Sequence, residues 1–226
     1  MDNTNFSFRM KIKAVLFDMD GVVVDSERYF PVLERYWFAS LIRKAWTDDD
    51  EANITGRSAS DIYNVLKEQY NLGIDKNLFL KHYDKIARDV YENKCNLTQN
   101  FLNVVDNLRE KKLKIAMVSS SPYSWIEMML KRFKIRNKFD VVISADELNS
   151  KGKPSPAIYL HSAKILNLNP ENCVVIEDSK NGIVSAKNAK MFCIGFRNGI
   201  NENQDLNSAD KIIYNLKEIL NFLAVL

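Results

Sequence analysis

Two carboxylates two positions apart end the first apolar run of this chain: Ala14-Val-Leu-Phe17 leads directly into Asp18-Met-Asp20-Gly21. Charges that close repel each other unless a cation lies between them, and a hard divalent ion accepts carboxylate oxygen while tolerating phosphate. A strand that ends in charge at its carboxyl end is also where open α/β sheets place their active sites. Asp and Gly are common turn residues, so the segment alone reads equally well as a strand running into an acidic turn. Other groups must decide.

Three such groups follow. Ser119-Ser120-Ser121 succeeds the apolar run Lys114-Ile-Ala-Met-Val118, Glu177-Asp178 ends the run Cys173-Val-Val-Ile176, and Lys153 opens a helical pattern between them. If the runs are parallel strands, their carboxyl ends share one edge and the groups converge. Each suits phosphoryl transfer. Asp18 can act as a nucleophile that divides one hard step into two through an acyl phosphate. Asp20 can protonate the leaving oxygen and later activate water. A magnesium ion bridging the nucleophile and a phosphate oxygen would cancel their repulsion, with Asp178 as a further ligand. Ser119 and backbone N–H groups at a helix N-terminus can hold phosphate oxygens, and Lys153 can stabilise charge on the phosphoryl group. Taken singly, the serines are an ordinary helix cap, Lys153 a solvated lysine and Glu177-Asp178 a loop acid pair. Their arrival in this order at successive strand ends favours function.

The elements that must position these groups alternate. Strands are expected at 13–17, 114–118, 140–144, 173–178, 191–196 and 211–213, with helices between them from residue 98 onward. Such alternation implies an α/β fold with a doubly wound parallel sheet. The exception is a stretch of about seventy residues after Glu27 that shows no strand pattern. There Tyr29, Phe30, Leu33, Tyr36, Trp37 and Ile42 recur at helical spacing, Thr47-Asp-Asp-Asp50 can cap a next helix, and two amphipathic helices are expected near 60–70 and 75–93. Asn53-Ile-Thr-Gly56-Arg57-Ser58 reads as a polar loop. Residues 1–24 and 97–226 are therefore expected to form the core domain and 25–96 an all-helical cap domain, joined near 23–25 and 95–98. Residues 1–11 read as a loose arm.

Composition narrows the partners. The chain has 226 residues, 46% of them hydrophobic, and a net charge of +3 from 32 basic and 29 acidic side chains. That is enough to bury a core and too balanced, without an arginine-rich arm, to suggest nucleic acid. No apolar run reaches membrane-span length and no signal peptide is evident. Cys95, Cys173 and Cys193 lack metal-type spacing and read as buried thiols of a reducing compartment. A cytoplasmic monomer acting on a small phosphorylated metabolite is expected. His82 and His161 lie in helical patterns without partners and are assigned structural or surface roles. Gly56 and Arg57, in the polar loop, are the candidates for substrate contact.

The four motifs resemble those of the haloacid dehalogenase superfamily over nearly the whole chain: Phe17-Asp18-Met19-Asp20-Gly21-Val22, Val118-Ser119-Ser120-Ser121, Lys153-Pro154-Ser155-Pro156, and Ile176-Glu177-Asp178-Ser179 with Asn181-Gly182-Ile183. The branch they look most like holds β-phosphoglucomutases and sugar-phosphate phosphatases, with a helical cap after the first strand of a Rossmann-like core. The resemblance implies Asp18 as nucleophile and Asp20 as general acid/base. It implies Mg2+ held by the Asp18 carboxylate, the Asp20 main-chain carbonyl and the Asp178 carboxylate, with Glu177 in or near that shell, and phosphate held by Ser119, Ser120 and Lys153. An acid at Asp20 is similar to phosphate-monoester members and unlike dehalogenases, phosphonatases or ion-pumping ATPases. The mutases carry a histidine that would fall on Phe30 and a cap arginine that would fall on Ala59. Their absence favours a magnesium-dependent phosphatase of sugar phosphates over a phosphomutase. A phosphoaspartate receiver would carry its acceptor on a later strand and needs no large cap, and a catalytically silent phosphate-binding module would not keep the whole set of groups.

Overall fold

The computed structural model describes residues 11–148 and 152–223. The expected arm, apart from Lys11, and Lys151 lie outside the described residues. The first strand, β1 (Ala14–Phe17), is buried at all four positions. It is flanked on both sides by parallel neighbours, β2 (Lys114–Ser119) and β4 (Cys173–Glu177), with Phe17 opposite Met117 and Ile176. β3 (Val141–Ser144), β5 (Phe192–Phe196) and β6 (Lys211–Ile213) complete a six-stranded parallel sheet in the order β3-β2-β1-β4-β5-β6. The chain order reverses on either side of β1, the switch point at which such sheets open a crevice beyond their carboxyl ends.

The strands are apolar on both faces because both are covered. Val15 and Phe17 face a layer that includes Phe101, Val104, Val105 and Leu108 of α5 (Phe101–Glu110). Ala14 and Leu16 face the opposite layer, which includes Ile158 and Tyr159 of α7 (Ala157–Ile165) and Ile183 and Ala186 of α8 (Lys180–Asn188). Each such side chain withdrawn from water is worth about 1.5–3 kcal/mol. Cys95, Cys173 and Cys193 are buried free thiols.

Between β1 and α5 the chain is helical: α1 (Phe30–Ile42), α2 (Asp48–Ile54), α3 (Ala59–Tyr70) and α4 (Lys76–Asp89), the last running into a π-helical turn at Val90–Lys94. These helices share an aromatic core in which the Trp37 ring stacks on Phe79 at 4.7 Å and on the exposed His82 at 4.4 Å. Asn53 and Ile54, expected in a loop, instead end α2. Thr47 and Asp50 close a reciprocal cap at its start, four acidic residues occupy the first turn, and Ile54 is buried. Favourable capping and dipole interactions outweigh a polar composition that looks loop-like. The two crossings are stitched together: Asp25 N–H donates to Asn96 O at 3.0 Å, Thr98 N–H to Val23 O at 3.0 Å, and Asn96 N–H to the Asp25 carboxylate at 2.5 Å.

Candidate active site

The register of β1 with β2 and β4 brings Asp18, Ser119 and Glu177-Asp178 to one edge of the sheet. Oxygens of Asp18, Glu177 and Asp178 lie within 4.8 Å of one another. Lys153, only 1% exposed, sends its ammonium to Asp18 Oδ1 at 2.5 Å and Glu177 Oε1 at 2.6 Å. Three buried carboxylates against one ammonium leave negative charge uncompensated. Burial is the main reason the Asp18 carboxyl is pushed up to about 8; Lys153 opposes the shift, while Glu177 and Asp20 add to it. Asp178 is pushed well above the usual carboxylate range, first by burial and then by Glu177 and Asp18. A hard divalent cation relieves both effects, so the donor set fits one.

Glu177 is the least available of the three. Its Oε1 accepts from Lys153 and, at 2.7 Å, from the Tyr159 hydroxyl, and its Oε2 accepts from the N–H of Asp178 and the Ser179 hydroxyl. With both oxygens claimed by donors, it holds Lys153 in place and leaves Asp18 and Asp178 as the better cation ligands. Asp178 is itself oriented by Asn198 Nδ2, which donates to its Oδ2 at 2.9 Å and to Gly21 O at 3.0 Å, and its carbonyl accepts from Asn201 Nδ2 at 2.7 Å. Gly21, at φ +75°, allows this approach. A Cβ there would sit 1.9 Å from Asp178 Oδ2.

Asp20 faces the cavity above the sheet edge and is gripped by three hydroxyls. Ser26 donates to Oδ1 at 2.5 Å, Tyr91 to the same oxygen at 2.7 Å, and Ser121 to Oδ2 at 3.1 Å. Burial raises its pKa despite those three bonds, which all act to lower it. A carboxyl fixed in position and shifted toward neutrality is suited to giving and taking a proton.

The comparisons with known proteins agree on what such an arrangement belongs to. Residues 15–196 match the family model described as haloacid dehalogenase-like hydrolase. The chain belongs to that family. A phosphorylated carbohydrates phosphatase of Thermotoga maritima is 31% identical to this hydrolase over 215 residues, covering 94% of this chain and 98% of that protein. Hexitol phosphatase B of Escherichia coli K12 is 30% identical over 187 residues, covering 81% and 83%. Among solved structures, a β-phosphoglucomutase from Clostridium difficile superposes with a TM-score of 0.78 at 24% identity, covering 95% of this chain and 96% of that one. This likeness speaks for the fold. Enzymes of the family generally use a divalent metal, and the hydrolase has a buried acidic cluster of the right kind.

The remaining candidate residues fall in two groups. Ser119 ends β2 fully buried, with its Oγ accepting from Ser121 N–H at 3.0 Å, whereas Ser120 and Ser121 line the cavity. Ser120 also donates to Gly56 O at 2.8 Å, and Asn181 Nδ2 donates to Thr55 O at 2.8 Å, so the loop after α2 is docked on the sheet edge. Gly56, at φ +80°, makes that docking possible, since a Cβ would lie 2.4 Å from Ser179 Oγ. It lines the cavity together with Arg57, whose Nε donates to Asn53 O at 2.7 Å. Sequence reading missed Tyr91, Tyr159, Asn198 and Asn201 as supports of the hydrolase's acids. Ser121 stood inside a quoted motif, but nothing in spacing links Tyr91 to an aspartate 71 positions away. His161 is half-buried, with its Nε2 3.6 Å from Glu147.

Proposed function

We propose that this hydrolase is a magnesium-dependent phosphatase of small phosphorylated carbohydrates, working through a phosphorylated Asp18. The observation that carries the reading is the pairing of two differently dressed carboxylates. Asp18 is held by an ammonium, which favours the ionised form a nucleophile needs, and Asp20 is held by hydroxyls, as a proton carrier can be. The curated names of the relatives support the same substrate class.

In this reading Asp18 attacks phosphorus, the bond to the leaving alcohol breaks, and Asp20 gives that alcohol its proton. Asp20 then takes a proton from water, which attacks the aspartyl phosphate and releases inorganic phosphate with Asp18 regenerated. Lys153 would offset charge on the phosphoryl oxygens, Ser120 would bind phosphate from the cavity wall, and buried Ser119 would act from beneath through its bond to Ser121 N–H. Asp18, the Asp20 carbonyl and Asp178 would hold Mg2+, which would supply positive charge to offset the repulsion between nucleophile and phosphate. Residues 25–96 act as a cap domain over a core of 1–24 and 97–226, and the docked loop around Gly56 excludes bulk water. Phe30 and Ala59 line the cavity where a mutase would need an imidazole and a guanidinium, so the cap favours hydrolysis.

Phosphate release from hexitol, hexose, pentose and triose phosphates with Mg2+, compared with Asp18→Asn, tests this. Release that vanishes in the variant supports the phosphatase. Turnover that instead yields an isomeric phosphate, and only with a bisphosphate activator, would replace it with the mutase.

A further inference from the structure

The helical side of the cavity carries charge that the reaction above does not use. Glu34 of α1 and Glu51 of α2 line it while only 3% and 5% exposed. Glu34 accepts from the Tyr83 hydroxyl through Oε1, and Glu51 accepts from Trp46 Nε1 at 2.7 Å through Oε2. Among the described residues the second oxygen of each carboxyl has no hydrogen-bond partner. Glu27, which lines the same cavity, has none at either oxygen. Carboxyl oxygens that face a cavity without a protein partner are positions for hydrogen-bonding groups on a ligand.

The same wall is poor in positive charge. Arg57 is the single Lys or Arg lining the cavity among the described residues, and its Nε and Nη2 are turned back on Asn53 O and Oδ1, at 2.7 and 3.3 Å. A leaving group with a second phosphate or a carboxylate would be pressed against Glu27, Glu34 and Glu51 with one partly engaged guanidinium to offset them. Protonation of these acids would not help, because a neutral carboxyl supplies a hydrogen bond but no positive charge. Phe30 and Tyr83, which also line the cavity, can cover the apolar faces of a sugar or polyol chain.

We propose that this cavity selects phosphate monoesters whose leaving group has no second anionic centre and presents hydroxyl or ammonium groups, which hydrogen-bond to the unpartnered oxygens of Glu34 and Glu51. The inference rests on the phosphatase reading and narrows its substrate class. Hydroxyls of a polyol or neutral sugar meet the requirement, and so does the ammonium of an amino sugar. Glu34 and Glu51 are thereby specificity-determining residues, placed away from the reacting bond.

The test is a comparison of kcat/KM for a hexitol 6-phosphate, an amino-hexose 6-phosphate, a hexose 1,6-bisphosphate and phosphoglycolate, each with Mg2+. The two substrates without a second anion are expected to exceed the two with one by at least tenfold, and whichever of the former leads tells hydroxyl from ammonium recognition. Glu34→Gln and Glu51→Gln are expected to raise KM for the favoured substrate more than they lower kcat, and to narrow the gap to the bisphosphate. Equal or better turnover of the bisphosphate or phosphoglycolate by the unaltered protein would overturn the proposal without any variant. So would an equal loss on all four substrates in both variants, the signature of a merely structural role. Absence of phosphate release from every compound, or release that survives Asp18→Asn, would strike the phosphatase reading itself.

Discussion

The sheet edge and the helical wall of the cavity are both acidic, and they manage their charge in opposite ways. At the sheet edge the acids come with their own donors: Lys153 between Asp18 and Glu177, Tyr159 on Glu177, Asn198 on Asp178, and three hydroxyls on Asp20. On the helical wall, Glu34 and Glu51 receive one donor each, Tyr83 and Trp46, and Arg57 is drawn away to Asn53. The first arrangement is held in place from within the protein. The second leaves carboxyl oxygens open to hydroxyl or ammonium groups of a ligand. The difference separates chemistry, which needs fixed groups, from selection, which needs groups left open.

The largest expected effect breaks the sheet edge at its centre. Asp18→Asn keeps the shape of the side chain and removes the nucleophile, and phosphate release should fall by at least about 10^4-fold. A residual rate near that of the unaltered protein would mean that Asp18 does not carry the reaction. Next comes Asp20→Asn, expected to cost about 10^2 to 10^4-fold. Here kcat should suffer more than KM, since the group acts on a proton in flight. A third change leaves every reacting group intact. Asn198→Ala removes the amide that orients Asp178, and affinity for Mg2+, read by titration calorimetry, should drop about 10- to 100-fold. An unchanged affinity would remove Asp178 from the cation site or show that Gly21 alone suffices to place it.

What the sequence disclosed follows the same division. Strand ends are legible because an apolar run that stops in a charge is a local pattern, and parallel pairing then carries Asp18, Ser119 and Glu177-Asp178 to one edge without further information. The α2 helix is less legible: its Thr47 cap can be read from the sequence, but the polar run from Asn53 onward resembles a loop and hides how far the helix extends. The supports were invisible for a different reason. Tyr91 reaches Asp20 only after four helices have folded back, and Asn198 reaches Gly21 across 177 positions. Glu34 and Glu51 were hidden by their residue type, since a glutamate on an amphipathic helix is ordinarily solvated. Only the packing of α1 against Tyr83 shows that it is not.

The smallest expected effect sharpens the comparison from the wall. Burial, with Glu51 and Asp20 adding to it and the Tyr83 hydrogen bond opposing it, pushes the Glu34 carboxyl up to about 8 from its ordinary 4.5. The folded protein thus binds a proton here more tightly than the unfolded chain does. The stability this contributes is fully present below the unfolded value and is lost as pH rises through the folded one. Glu34→Gln cannot ionise and lacks that decline. The melting temperature of the unaltered protein minus that of the variant should therefore fall by several degrees between about pH 4.5 and about pH 8, and level off above. If the difference stays flat, Glu34 is ionised in the folded protein throughout that range. The wall would then hold a full negative charge near neutrality, and its discrimination against a second anion should be stronger than a protonated Glu34 allows.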